Sequence, residues 1–253
     1  MNAASRVRKS RTALLLQQPF FGTLAVGLAL KIDHDPTLTC ATDGQSLIFN
    51  PQWVTKVDDH EIKSAITEMV LHCALRHPLR RNGRRVDLWN EACDQAVFST
   101  MQRSGIALRR GCFANPEFAN MPAEAIYRWL QQKSPPAVTT RPKPSPQRVP
   151  TAPQQALAFD PVPNDDNQPS TAVANQQGGG DKPSNTSVAP TQTGNPDAPQ
   201  QPGEVRDPPP GTDKHVAEAN MARAIQRASK SAKRMGFLPA QLQEEIQEML
   251  RVR

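Results

Sequence analysis

Residues 67–77, TEMVLHCALRH, bring two side chains that can ligate a metal onto one helical pattern. Glu68 and His72 are four residues apart, so on an α-helix both project from the same face. A carboxylate and an imidazole at this spacing are suited to a divalent metal ion. Met69 stands beside Glu68 and has no proton to give or take, so it cannot activate a metal-bound water. The stretch therefore predicts metal binding more readily than hydrolysis.

The zinc-binding helix of many metallopeptidases reads H-E-x-x-H, in which the two histidines ligate zinc and the glutamate activates water. Aligned on His72, this template puts Glu68 in the slot of the first histidine and Met69 in the slot of the glutamate. Two plainer interpretations stay open, with His72 as a core histidine and Glu68 as a solvated helix residue. His77 lies about 140° further around the helix axis, so we expect a structural contact or an end cap there.

The pattern around this helix predicts a small α+β domain over residues 1–133, with a short β-sheet or hairpin. The helix itself is capped by Asp58 or Asp59 and ended by Pro78. LTCATDGQSLIFN predicts a hairpin that turns at Gly44, and LAVGLALKID predicts a strand. Further helices are predicted over residues 5–17, 88–103 and 122–131.

Residues 134–211 contain most of the 25 prolines and the low-complexity run NQQGGGDKPSNTS. Such a composition cannot bury enough apolar area to form a core, so we predict a disordered linker. Residues 212–253 predict a helical pair, with Thr212 as a cap, Gly236 as a stop, and Leu242, Ile246, Met249 and Leu250 on one face of the second helix. Because two helices make a poor core alone, we expect them to pack on the first domain or on a partner.

The composition argues against several classes of protein. The four cysteines stand singly, which argues against a disulfide scaffold or a C-x-x-C zinc site and favours a cytoplasmic protein. The apolar run after the basic N-terminus is split by Gln17, Gln18 and Pro19, leaving too few residues for a membrane helix. The net charge of +6 and the basic runs RHPLRRNGRR and ALRR come without a nucleic-acid-reading motif, so we interpret those runs as solvated surface.

Several linked motifs point to one family. TDGQSLIFNPQWV, LHCALRHPLRRNGRR, LWNEACDQAV and NMPAEAIYRWL, in this order and spacing, resemble the bacterial putative metallopeptidase domain that precedes a VWA-like domain. The resemblance covers residues 14–130. AIQRASKSAKRMGFLPA is similar to the segment that joins the two domains in that family.

The resemblance implies a zincin-like fold, a zinc ion, a cytoplasmic protein, and partners such as a VWA-domain protein or a MoxR-type ATPase. His72 matches the second metal-binding histidine, and Asp94 matches the aspartate of a WN-x-A-x-D helix that supplies a third ligand. Glu68 and Met69 depart from the H-E-x-x-H pattern, and Phe98 stands where relatives carry a polar residue. The chain ends at Arg253, before a VWA-like domain would begin.

Three functions follow as hypotheses. The first is a catalytically weakened or inactive metallopeptidase-like domain that binds a peptide or protein. The second is a metal-dependent hydrolase using Glu68, His72 and Asp94, with Glu91 as a carboxylate that can approach from the next helix. The third is a basic nucleic-acid-associated protein using RHPLRRNGRR and residues 223–234. Asp94, in an apolar helix, needs a partner: a metal ion, His72, or one of Arg80, Arg81 and Arg84.

Overall fold

The computed structural model describes residues 2–134, 202–236 and 240–251, which belong to one α+β unit. Most of the predicted linker lies outside the described residues. The α+β class predicted from the sequence is confirmed. The helices are α1 (Ala3–Gln17), α2 (Pro19–Val26), α3 (Pro51–Lys56), α4 (Asp59–Ala74), α5 (His77–Arg80), α6 (Val86–Arg103), α7 (Ala123–Lys133), α8 (Lys214–Arg234) and α9 (Ala240–Arg251), and the strands are β1 (Ala29–Ile32), β2 (Cys40–Thr42), β3 (Ser46–Phe49) and β4 (Glu204–Val205).

The sheet has the order β1-β3-β2-β4. The predicted hairpin is present, because β2 and β3 pair antiparallel and Gly44 takes a φ of 84° in the turn between them. At the open edge, β4 pairs parallel with β2, with Ala41 opposite Glu204 and Thr42 opposite Val205. This strand falls inside the range 134–211 that the sequence assigned to the linker. Two residues are too short a run to give a strand pattern in the sequence.

The predicted strand in LAVGLALKID is only partly correct. Leu24 to Val26 belong to helix α2, which starts at Pro19, and only Ala29–Ile32 is extended. Proline at the first helical position favours this start. Gly22 of α2 lies directly on α1, where a β-carbon would come within 2.3 Å of the Leu15 backbone. Close helix packing against this glycine therefore overrides the β-type composition.

Helix α4 is the centre of the fold. Asp58 caps it by accepting a hydrogen bond from the backbone N–H of Glu61, as predicted. It ends at Ala74, earlier than Pro78 would require, because Arg76 takes the left-handed conformation at φ 59° and reverses the chain. Every residue from Ser64 to Ala74 is buried. Polar side chains in this part of α4 must therefore find partners inside the protein.

The C-terminal helices pack on the first domain, one of the two outcomes expected from the sequence. Ile225, Ala228 and Ala232 of α8 and Ile246 of α9 are buried in the same core as α1, α2 and α4. Asp213, rather than Thr212, caps α8. In the described part of the chain, every helix is too short or too polar to span a membrane.

We predict that Gly22→Val lowers the free energy of unfolding by about 1–3 kcal/mol or more, because the new side chain would overlap the α1 backbone. Urea unfolding monitored by circular dichroism measures this. Gly27→Ala is the control, since a β-carbon there meets the Leu24 and Thr23 carbonyl oxygens at 3.4 and 3.9 Å, which is ordinary contact, and φ is −74°. Equal stability of the two variants would contradict the helix packing described here.

Candidate metal centre

Glu68, His72 and Asp94 meet in the interior between α4 and α6. Each offers one ligand atom, and these atoms all lie within 4.8 Å of one another. None of the three is more than 5% exposed. The structure thus brings together the three residues identified in the sequence as candidate ligands. The expectation that Glu68 is a solvated helix residue is wrong.

His72 and Asp94 face each other without a completed hydrogen bond. His72 Nε2 and Asp94 Oδ1 are 3.4 Å apart, and within the described residues neither atom has a hydrogen-bond partner. Burial lowers the pKa of His72 to about 4, so its imidazole is neutral at pH 7. Burial and then the nearby Glu68 carboxylate raise the pKa of Asp94 well above its ordinary value. The pair is therefore a place for a shared proton or for a cation.

His77 contacts the His72 ring and fixes its orientation. Its Nδ1 lies 3.1 Å from Nδ1 of His72, a distance at which one nitrogen donates and the other accepts. The His77 ring also packs edge-on against Trp89, whose indole N–H donates to the His77 carbonyl oxygen. His77 lies on α5, beyond the chain reversal at Arg76, and makes the structural contact expected from the sequence.

Arg109 forms a buried ion pair with Glu68. Its Nε lies 2.9 Å from Oε2 and its Nη2 lies 3.1 Å from Oε1, a two-point geometry typical of arginine and carboxylate. Arg109 is 2% exposed, and its guanidinium carbon is 5.6 Å from the centre of the Trp53 ring. Assigning ALRR to solvated surface was therefore wrong for Arg109. A buried carboxylate on α4 required a cationic partner, but spacing along the sequence did not identify which arginine supplies it.

Residues 202–206, here called the covering segment, lie over Glu68 and Met69. The Gly203 N–H donates to Glu68 Oε1 at 2.7 Å. A β-carbon on Gly203 would come within 2.0 Å of the Met69 methyl carbon and 2.9 Å of Glu68 Oε1, so any larger residue requires Met69 or the covering segment to move. Met69 is fully buried beneath this backbone. The position that carries the general base in H-E-x-x-H is thus part of an apolar contact.

Comparison with known families shows which family this chain resembles. A sequence model described as the putative metallopeptidase domain matches residues 2–253. The chain belongs to that family. Searches of curated proteins and of solved structures found no match. Because the match runs through residues 202–253, the covering segment and the C-terminal helices are part of the region that the putative metallopeptidase domain model describes.

Family membership and the ligand group together suggest a metal ion at this centre. His72 Nε2 and Asp94 Oδ1 fit that role, since both are buried and lack a hydrogen-bond partner in the described residues. Glu68 does not fit as it stands. Its Oε1 accepts from Gly203 and Arg109, and both Arg109 donors lie within 2.9 Å of its Oε2. A carboxylate has about four lone-pair positions and these hydrogen bonds take three of them, so a metal ion would compete with Arg109 for Glu68.

A groove leads from solvent to Asp94. It has a volume of about 540 Å³ and runs between the covering segment, the loop before β2 and the start of α6. Glu91 and Phe98 do not contribute to it, because Glu91 is exposed on α6 and Phe98 is buried in the core. The residues along the groove are Asp35, Thr37, Leu38, Thr39, Asn90, Asp94, Pro202, Gly203, Glu204 and Arg206.

Most arginines of the basic run RHPLRRNGRR contact other residues of the chain. Arg80, Arg81 and Arg85 form ion pairs with Glu124, Asp207 and Asp87, respectively. Arg84 lies over the Trp89 and Tyr127 rings. None of these arginines pairs with Asp94 in the described contacts, so of the partners considered for Asp94 the structure places His72 against it.

We predict that Asp94→Asn gains stability relative to the parent as pH rises above about 4. The raised pKa means that the folded parent keeps the Asp94 proton, whereas the unfolded chain loses it above its ordinary pKa of about 3.9. Folding of the parent therefore becomes less favourable with rising pH, up to the folded pKa, and asparagine removes this penalty. Urea unfolding at pH 4.5 and 7.5, with chelator present, measures the difference. A difference that is constant or reversed would show that Asp94 is ionised in the folded chain.

Proposed function

We propose that this member of the putative metallopeptidase domain family does not hydrolyse peptides and instead binds an extended segment of a peptide or protein partner. The observation that carries this proposal is the covering segment. It lies as an added strand on the edge of β2, directly above Glu68 and Met69.

The proposed loss of hydrolysis follows from three side chains of the centre. Met69 cannot act as a general base, and general-base help is worth roughly 10²–10⁴ in rate. Glu68 is the nearest alternative carboxylate, but Arg109 and Gly203 hold both of its oxygens. Burial raises the pKa of Asp94 well above its ordinary value, which disfavours the ionised form that would accept a proton. In the described centre, Glu68 is therefore occupied and Asp94 is held toward its protonated form, which does not suit either of them to take a proton from an attacking water.

The contacts of the covering segment define the proposed binding surface. The Arg206 N–H donates to the Thr42 carbonyl oxygen at 2.9 Å, and the Val205 N–H donates to Asn90 Oδ1 at 3.2 Å. Val205 itself is 3% exposed and packs with Leu88 and Trp89 of α6. Addition of an extended chain to a sheet edge, with pockets for alternate side chains, is a recurring mode of peptide recognition.

The partner is therefore proposed to present a strand with glycine above Met69 and an aliphatic residue two positions later. It would take the place of the covering segment on β2. The VWA-domain protein and the MoxR-type ATPase suggested by the family resemblance stay predictions for the identity of that partner.

A metal-dependent hydrolase is the second candidate, with zinc held by Glu68, His72 and Asp94. The two buried atoms without hydrogen-bond partners, His72 Nε2 and Asp94 Oδ1, favour it. It requires Arg109 to release Glu68. It also requires peptide cleavage that both a chelator and Asp94→Ala abolish, whereas the binding proposal requires no cleavage.

The binding proposal predicts that Gly203→Leu displaces the covering segment and exposes the edge of β2, because the leucine side chain would overlap Met69 and Glu68. In the parent, the covering segment competes intramolecularly at an effective concentration of about millimolar. A fluorescein-labelled peptide QPGEVRDP, the sequence of residues 201–208, should therefore bind the full-length variant at least about tenfold more tightly than it binds the parent. Fluorescence anisotropy measures this.

The matched control is the peptide QPLEVRDP, in which leucine replaces the glycine that faces Met69. It should bind neither protein. Circular dichroism establishes that Gly203→Leu is folded before the titration. Equal binding of the two peptides to that variant, or no binding of QPGEVRDP by the folded variant, would refute the proposed binding surface at the edge of β2.

A further inference from the structure

We infer that the guanidinium of Arg109 takes the place of a metal ion in this chain, and that a Glu68–His72–Asp94 cation site is latent until Arg109 is removed. This inference concerns what neutralises the centre. It does not depend on whether the sheet edge binds a partner.

The first support is the bonding of Glu68. Arg109 lies within 3.1 Å of both carboxylate oxygens, and Gly203 adds a third donor. A metal ligand needs a free lone pair directed at the ion, and these hydrogen bonds take three of the about four lone-pair positions of the carboxylate. Arg109 therefore makes the contacts to Glu68 that a metal ion would otherwise make.

The second support is the charge balance. Glu68 and Arg109 cancel each other in a region where both are almost fully buried. A divalent ion bound to two ionised carboxylates beside Arg109 would leave one uncompensated positive charge in the interior. The same ion without Arg109 would leave none, and a buried net charge is strongly unfavourable.

The third support is that Arg109 is fixed. An arginine side chain is not deprotonated in proteins, so the guanidinium stays charged. Trp53 lies against its face and the side chain has almost no solvent exposure. Neither deprotonation nor a swing into solvent frees Glu68 at ordinary pH. The cation is a permanent part of the centre.

The test is a titration of the full-length chain with Co²⁺, followed by absorption spectroscopy and by the thermal midpoint. Arg109→Met should bind Co²⁺ at least about tenfold more tightly than the parent. Its thermal midpoint should rise on adding Co²⁺, and both effects should vanish in Arg109→Met with His72→Ala. Arg110→Met is the matched control, because the Arg110 side chain is 58% exposed and pairs with Asp58 and Glu61, outside the Glu68–His72–Asp94 group. It should bind Co²⁺ no better than the parent.

Arg109→Met leaves Glu68 buried without its partner, so this variant can fail to fold without metal. The double variant Glu68→Gln with Arg109→Met removes both charges and serves as the second measurement. We expect the double variant and the parent to bind Co²⁺ equally weakly, because Glu68 supplies no ligand in either. Co²⁺ binding that is tight in the parent and lost in the double variant would overturn the inference. So would a folded Arg109→Met that binds Co²⁺ no better than the parent.

Discussion

The buried ion pair between Glu68 and Arg109 is the contact on which the centre of this structure depends. Glu68 lies on α4, a helix buried from Ser64 to Ala74, and an unpaired carboxylate there would destabilise the fold by several kcal/mol. Arg109 satisfies it from the segment after α6, and Gly203 completes it from residues far along the chain. One carboxylate thus joins three distant parts of the sequence. It also fixes where the covering segment can cross.

The same ion pair changes what the first position of an H-E-x-x-H helix does in this chain. In an H-E-x-x-H helix the charged groups at these positions hold a metal ion and activate water. Here the first position is tied into an internal ion pair and the second packs against a glycine backbone. The sheet, α4 and the facing α6 still bring Glu68, His72 and Asp94 together. Under the proposed function, the edge of β2 above these positions holds an extended chain in place of a catalytic water.

Local signals in the sequence predicted the elements whose formation depends on neighbouring residues. Gly44 marked the hairpin turn, Asp58 marked the start of α4, and the order of motifs identified the family. The ligand group was also predictable, because helical spacing placed Glu68 and His72 on one face and the family motif supplied Asp94. The metal ligation itself stays a prediction.

Arg109, Gly203 and β4 were not predictable in this way, for a physical reason. Their roles are set by contacts across 41 and 135 residues, which no local period or cap reports. ALRR has the composition of exposed surface, and Glu204–Val205 is too short for an alternating pattern. A rule that every buried carboxylate needs a cation would have demanded a partner for Glu68, but it would not have chosen Arg109 among the chain's arginines.

The most direct test of this account is the metal content of the parent chain, purified without a His-tag or added metal and measured by elemental mass spectrometry beside His72→Ala and Asp94→Ala. The account predicts that the parent carries no more metal than either variant, because Arg109 already neutralises Glu68. Near-stoichiometric zinc in the parent, lost in both variants, would contradict it and would make the centre a working metal site.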